Sequence, residues 1–540
     1  MSSTGSRKTL REVIEWIAPS GSRAGVPVRR WSAPLGWPPD VFAVAATLLE
    51  ESGAYRLILS PPPGRRWPPP KAGGSSWVGS VIRDGDRWHQ RTDPVGRAKA
   101  PRLARECWSR LLTSLEEPID ALLAAAHWDL LVDVATLLAL SDEACAGLGA
   151  SPVPGSPVNR LYALAANARL SQTGSLSRLP PERVKVLPKM RTPQVGASLR
   201  SLSLFAAIDR SELDVRWLRH GELCESGHES LNLLLLPWPE RIVPTDFRTT
   251  RTPKKARFGL FEFAPKARTD LAKLRRAIDE AKELVETVHA VILPEAAAAE
   301  RELGDLERAL EAAAVPMLLC GARARRRNFA RLALLDSKAG WMHHDQPKHH
   351  RWKIDSTQIR QYHIGAALDV GQVWWEDIEI ERRCVNVVAA NDWLTLLHLI
   401  CEDLARVGPG VSLIRSIGPT LVVALLLDGP QLASRWSGRY ASVLADDPGS
   451  SVLTLAPIGM VERSRPAGAA ASRVVGLWKD SDTGVHELVL EPGATGIVIT
   501  VSARWKEEFS ADWRSDRRSG AELGSAAELV LTGVQQVRLP

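Results

Sequence analysis

The stretch Trp393-Leu394-Thr395-Leu396-Leu397-His398-Leu399-Ile400-Cys401-Glu402-Asp403 runs an apolar segment directly into a cysteine and two carboxylates. The apolar part predicts a buried strand. Cys401 then stands where that strand leaves its sheet, the place at which open α/β sheets do their chemistry. A cysteine there also reads as a small core hydrophobe, so the neighbouring pattern has to decide between the two.

Working outward, strands and helices alternate. Upstream, Leu231–Leu236 and Phe258–Phe263 read as strands, and Thr269–Glu286 as an amphipathic helix with Leu271, Leu274, Ile278, Ala281 and Leu284 on one face. The run His289-Ala290-Val291-Ile292-Leu293-Pro294-Glu295 reads as a buried strand, Ala296–Ala314 as a helix and Val315–Cys320 as another strand. Downstream, Pro419–Leu427 and Ser451–Ala456 read as strands around a helix over Gln431–Leu444, and short strands follow at Glu487–Leu490 and Ile497–Val501. This order argues for an α/β domain, a sheet covered by helices.

Residues 1–225 have a different texture. The segment Pro61-Pro62-Pro63-Gly64-Arg65-Arg66-Trp67-Pro68-Pro69-Pro70 cannot be helix, while Val41–Glu51, Arg102–Leu115 and Ile119–Leu148 carry helical patterns, the last reading as two helices. A mainly helical region over 1–225 and an α/β domain over 226–540 are therefore expected.

With 540 residues, 45% hydrophobic and 24% charged, the chain is globular and too long for one core. Its net charge of +7 is spread among interleaved acids, which permits a nucleic-acid partner without indicating one. The densest basic run, Arg323-Ala324-Arg325-Arg326-Arg327, reads as a loop between two strands. Six scattered cysteines without a CxxC pair are the usage of a reducing compartment. No secretory apolar core opens the sequence from Met1 to Lys8, and no window is long and apolar enough for a membrane span. A soluble cytoplasmic protein without a membrane partner is expected.

Three segments place a reactive side chain at or near a strand end: Leu293-Pro294-Glu295, Gln346-Pro347-Lys348-His349-His350 and Ile400-Cys401-Glu402. A thiol needs a base, and a carboxylate in a partly dry cleft has its pKa raised enough to serve as one. Glu295 is the candidate base. A lysine in such a cleft stabilises the anion formed when a thiolate attacks a carbon multiply bonded to O or N, and Lys348 is favoured for that role over Lys353. Among the acids of Trp374-Trp375-Glu376-Asp377-Ile378-Glu379, Glu376 is the favoured further member of the site. Each residue also has a plainer reading: Glu295 capping a helix at Ala296, Lys348 on a polar surface, Cys401 in the core.

Together these segments resemble the nitrilase, or carbon–nitrogen hydrolase, superfamily over about residues 226–540. The resemblance rests on the order Glu, Lys, Cys, on the strand ending in Pro294-Glu295, on Lys348 followed by histidine, and on Cys401-Glu402-Asp403. Arg327-Asn328 before the strand Ala330–Leu335 and Gly418-Pro419-Thr420-Leu421-Val422 after the cysteine agree with it. Glu295 and Lys348 lie 53 residues apart, as do Lys348 and Cys401; the first interval is shorter and the second longer than the family suggests.

The resemblance implies a four-layer αββα sandwich behind the helical region. It also implies a thiol hydrolase of a small-molecule amide or nitrile: Glu295 takes the proton of Cys401, and Lys348 with the backbone N–H of Glu402 holds the developing charge. It implies no metal or organic cofactor, and assembly as a homo-oligomer, a dimer or higher. Nitrilase-like domains also occur fused to other modules in bacterial anti-phage defence systems, which makes such a setting a second expectation. The rival reading from another class is a catalytically inactive scaffold or interaction protein.

Two further patterns invite weaker readings. His343, His344, His349 and His350 resemble a metal cluster but lack cysteine and carboxylate ligands at zinc-site spacing. Trp341, Trp352, Trp374 and Trp375 are suited either to an aromatic pocket or to packing.

Overall fold

The computed structural model describes residues 8–19, 36–70, 76–95, 99–150, 158–192, 198–224, 229–250, 258–465, 470–516 and 527–539. The expectation drawn from Met1–Arg7 lies outside the described residues, as does the expected boundary between residues 225 and 226. The chain forms two compact units. The first comprises Met1–Arg219, Leu413–Pro419 and Trp505–Ala526, and the second His220–Ser412, Thr420–Arg504 and Ala527–Pro540. In place of one cut near 225, two later segments return to the first unit.

The first unit is helical around two central helices. Pro38–Ser52 and Trp128–Ala144 are buried along nearly their whole length, as helices apolar on every side must be. The expected helix pair over 119–148 is instead two 3-10 turns, Ile119–Leu123 and Ala125–His127, followed by the single helix Trp128–Ala144. Lys185–Pro188 and Ala206–Asp209 add an antiparallel pair. Charge ties the returning segment in: the fully buried Arg514 reaches Asp142 and Asp512, each at 2.9 Å, and Glu508 meets Arg191 at 3.1 Å.

The second unit is layered. One sheet has the strand order Gly340–Pro347, Arg327–Asp336, Met317–Ala324, Ala290–Ala299, Ser230–Leu235, Ala494–Trp505, Ala527–Arg538. The strands starting at 230, 290 and 317 are parallel. Leu234, Leu236, Val291, Leu293, Leu318 and Cys320 face the helices Leu271–Val285 and Leu303–Ala312, meeting Leu274, Ile278, Leu306 and Leu310. The alternate residues Leu233, Leu235, Ile292 and Leu319 are equally buried on the opposite face.

The other sheet runs Gly484–Val489, Val474–Asp480, Ser451–Leu455, Leu421–Leu425, Thr395–Ile400, Cys384–Ala389, with the strands starting at 395, 421 and 451 parallel. Helix Trp436–Asp446 buries Ala441, Leu444 and Ala445 beside it. Hydrogen bonds join the two sheets, from Gln346 Nε2 to His398 O at 3.0 Å and from Ser451 Oγ to Leu529 O at 2.5 Å. The order helix, sheet, sheet, helix is the expected αββα sandwich. Phe258–Phe263 is a strand as expected, and it belongs to a small separate sheet with Phe247–Thr249, Val373–Glu376 and Lys353–Ile354. No helix among the described residues is long and apolar enough to cross a membrane.

One local element departs from the sequence reading. The expected helix at Ala296 is absent: the strand continues to Ala299, a 3-10 turn covers Glu300–Glu302, and the helix begins at Leu303. Glu295 therefore caps no helix. The pairing with Met317–Ala324 slips between Leu293 and Ala298, so Glu295 sits on a bulge, with Ala296 at φ 54°. Alanines favour helix intrinsically, but tertiary pairing overrides that preference. The bulge needs a bare neighbour. A Cβ on Gly321 would lie 2.3 Å from Pro294 O and 2.4 Å from Glu295 Cα.

Gly321→Ala is therefore predicted to displace the Glu295 backbone and to lower stability by about 1–3 kcal/mol, the usual cost of overpacking. Urea unfolding of the full chain measures it, and an unchanged midpoint would show that the bulge tolerates a side chain.

Candidate active site

Four strands converge on the site in the second unit. Glu295 comes from the bulge, Lys348 follows Gly340–Pro347, Glu376 ends Val373–Glu376, and Cys401 follows Thr395–Ile400. The ammonium of Lys348 donates to Glu295 Oε1 at 2.7 Å and to Glu376 Oε2 at 2.8 Å, with its side chain wholly buried. Asn328 closes the ring: its Nδ2 donates to Glu295 Oε1 at 2.8 Å and to Glu376 Oε1 at 2.7 Å. The N–H of Trp352 donates to Glu376 Oε2 at 3.0 Å. Glu295 Oε2, also buried, has no hydrogen-bond partner among the described residues.

Cys401 occupies a strained turn. It has φ 47° and ψ −110° between its strand and the short helix Glu402–Ala405, a conformation that costs a non-glycine residue about 1–3 kcal/mol and clusters at functional sites. Its N–H is fixed to Leu425 O at 2.9 Å, and the residue is 4% exposed. Asp403, in the first turn after it, accepts from the N–H of His349 at 3.1 Å and from His350 Nδ1 at 2.8 Å. Lys348 N–H donates to Asn328 O at 2.9 Å. The loop bearing the lysine is thus held from both the cysteine turn and the asparagine strand.

The electrostatics assign protons. Burial pushes Glu295 above the ordinary carboxylate range against the pull of Lys348, and Glu376 adds to the rise. Burial alone would depress Lys348, but the two carboxylates outweigh it and keep the ammonium well above its ordinary value. Burial, reinforced by Glu295 and opposed by Lys348, raises the Cys401 thiol. At rest the sulfur therefore keeps its proton, and a nearby base has to take it.

The structure brings together Glu295, Lys348 and Glu376 by direct contact, and Cys401 by mutual electrostatic influence. Lys353 lies elsewhere, exposed, with its ammonium 5.9 Å from the Trp375 ring. The histidines form no metal cluster among the described residues: His343 meets Glu307, the ring of His349 meets Cys384 O, and Asp403 joins His350 to the N–H of His349. Trp352 and Trp374 pack into a core with Phe247, Phe261 and Tyr362.

Sequence reasoning missed two groups. Asn328 was noted only for its place before a strand, although its amide spans both carboxylates. Asp428, which influences Cys401 across space, accepts from Tyr362 Oη, Arg435 and Trp436 Nε1. No local pattern marks either role.

No family model matches the chain, and no curated protein matches it. Its structure is similar to solved members of the nitrilase and carbon–nitrogen hydrolase superfamily. A branch 10 nitrilase-superfamily member from Saccharomyces cerevisiae is 10% identical with TM-score 0.30, covering 50% of this chain and 89% of that one. A carbon–nitrogen hydrolase from Helicobacter pylori is 10% identical with TM-score 0.28, covering 53% and 88%. A CN-hydrolase superfamily protein from Xanthomonas campestris is 13% identical with TM-score 0.25, covering 57% and 91%.

Replacing Lys348 by methionine strands two buried carboxylates and is predicted to cost about 3–5 kcal/mol at neutral pH. Without the ammonium, the burial that already raises Glu295 is less opposed and its folded-state pKa rises further. The lost stability is accordingly present at low pH and disappears as pH rises through that value. Denaturant titrations of Lys348→Met and of Lys348→Met/Glu376→Gln at two pH values check this; the double variant should recover part of the loss.

Proposed function

We propose that the second unit is a thiol-dependent hydrolase of non-peptide carbon–nitrogen bonds, acting on a small amide or nitrile through Glu295, Lys348 and Cys401. The carrying observation is the division of labour within one buried network. Lys348 and Asn328 both bind Oε1 of Glu295 and leave Oε2 unpartnered as a proton acceptor, with a strained cysteine in electrostatic reach.

Glu295 takes the thiol proton as sulfur attacks the amide or nitrile carbon. Charge developing on oxygen or nitrogen is met by Lys348 and by the N–H of Glu402. For an amide, the leaving amine takes the proton back from Glu295 as the C–N bond breaks. For a nitrile, the thioimidate formed first adds water before ammonia leaves. Water deprotonated by Glu295 then cleaves the thioester, releasing the acid and restoring the thiol. Glu376 holds Lys348 and, as a like charge, keeps Glu295 basic. The reading carries over homo-oligomeric assembly and a setting in anti-phage defence from the family resemblance, each as a proposal.

Ammonia release from a panel of small amides and nitriles tests the reaction. Cys401→Ala and Glu295→Gln should each lower turnover by roughly a thousandfold or more, and release that survives both changes would sink the assignment. The base must be ionised and its pKa is raised, so the acid limb of kcat/KM should lie above the ordinary carboxylate value. Glu376→Gln removes a like charge and should move that limb down.

A further inference from the structure

A cavity of about 570 Å³ opens beside the network, with Ala296, Asn328 and Glu376 on its wall. Seven of its lining residues are basic and three are carboxylates, so its charge does not balance. The carboxylates are also engaged: Glu376 by Lys348 and Asn328, Asp377 by Arg326 at 3.3 Å, and Glu262 by Arg248 at 4.0 Å. Arg326 and Arg327 pair outward with Glu379, Glu300 and Glu381. Arg301 and Arg325, both exposed, have no carboxylate partner among the described residues.

Arg323 is the unusual member. Its guanidinium is largely buried and donates to two carbonyls, Ala296 O at 2.5 Å and Pro265 O at 3.4 Å. Burial pulls its pKa below the ordinary guanidinium value, against the field of Glu302. The Glu302 oxygens accept instead from Ala299 N–H at 2.8 Å and Thr269 N–H at 3.3 Å. A desolvated cation without a bonded carboxylate is costly, and its planar donor fork matches a carboxylate or phosphate. The volume suits a small molecule.

We propose that this cavity holds the anionic group, carboxylate or phosphate, of the substrate, anchored by Arg323 and neutralised by Arg301 and Arg325; the substrate role rests on the hydrolase reading above. A ligand seated there abuts Asn328 and Glu376, which hold Glu295 and Lys348, so neutral amides and nitriles are poor substrates and acid-bearing ones good.

Calorimetric titration of the Cys401→Ala chain with glutarate and with inorganic phosphate tests binding apart from turnover. Saturable binding of at least one anion is expected, and which one binds separates carboxylate from phosphate. Arg301→Gln/Arg325→Gln, two exposed changes, should weaken it tenfold or more, as should Arg323→Lys. Absence of saturable binding for both anions, or binding indifferent to both variants, overturns the proposal. In the wild-type chain the bound anion, seated against Asn328 and Glu376, should change the rate at which iodoacetamide alkylates Cys401; an unchanged rate at saturation overturns its coupling to the network that holds Glu295 and Lys348. An anion that binds and changes that rate while every amide and nitrile stays intact would instead count against the hydrolase reading alone.

Discussion

The ammonium of Lys348 sits between two carboxylates in a place that water does not reach, and much of the second unit serves that arrangement. Two buried carboxylates so close would expel one charge by taking up a proton. The lysine pulls Glu295 back toward its charged form, and the fields of both carboxylates offset its own desolvation. The geometry has to be held tightly for this to be favourable. Asn328 spans the two carboxylates, the N–H of Trp352 fixes Glu376, and Asp403 ties the lysine loop to the cysteine turn. The proton acceptor, the charge stabiliser and the nucleophile are consequently set by one another.

The two sheets deliver these groups in comparable ways. Each has three neighbouring parallel strands, from 230, 290 and 317 in one and from 395, 421 and 451 in the other. In each a parallel strand breaks at a residue of positive φ beside the site, Ala296 next to Glu295 and Cys401 itself. Regular strands alternate their side chains across the sheet; a local break re-aims one of them. Gly321 makes room for the first break, and the hydrogen bond from Cys401 N–H to Leu425 O anchors the second.

Glu295 and Cys401 were legible because each follows an apolar run that reads as a buried strand, and because a carboxylate or thiol there demands a reason. Lys348 was legible only through the histidine beside it, since the strand Gly340–Pro347 is partly exposed and carries polar residues that hide its period. Glu376 stood among several acids. What selects it is the parallel pairing of Val373–Glu376 with Phe258–Phe261, a long-range fact. The Ala296–Ala299 run misled because local propensity favours helix where a neighbouring strand enforces extension. The return of Trp505–Ala526 to the first unit was invisible to hydropathy because buried ion pairs of Arg514 and Glu508 secure it. Of the basic run at 323–327, expected as a loop, only Arg325 and Arg326 form the turn, while Arg323 and Ala324 end one strand and Arg327 begins the next; its sequence could not show that Arg323 points its charge inward.

The division of the chain also has a consequence for which fragments of it can stand alone. The first unit takes the ionic partners of Asp142 and Arg191, Arg514 and Glu508, from a segment that follows most of the second unit in sequence, and the second takes an edge strand, Ala527–Arg538, from beyond that segment. The two units are thus interleaved along the chain, and a fragment cut after Arg504 leaves both incomplete, one without its buried ion pairs and the other without an edge of its sheet.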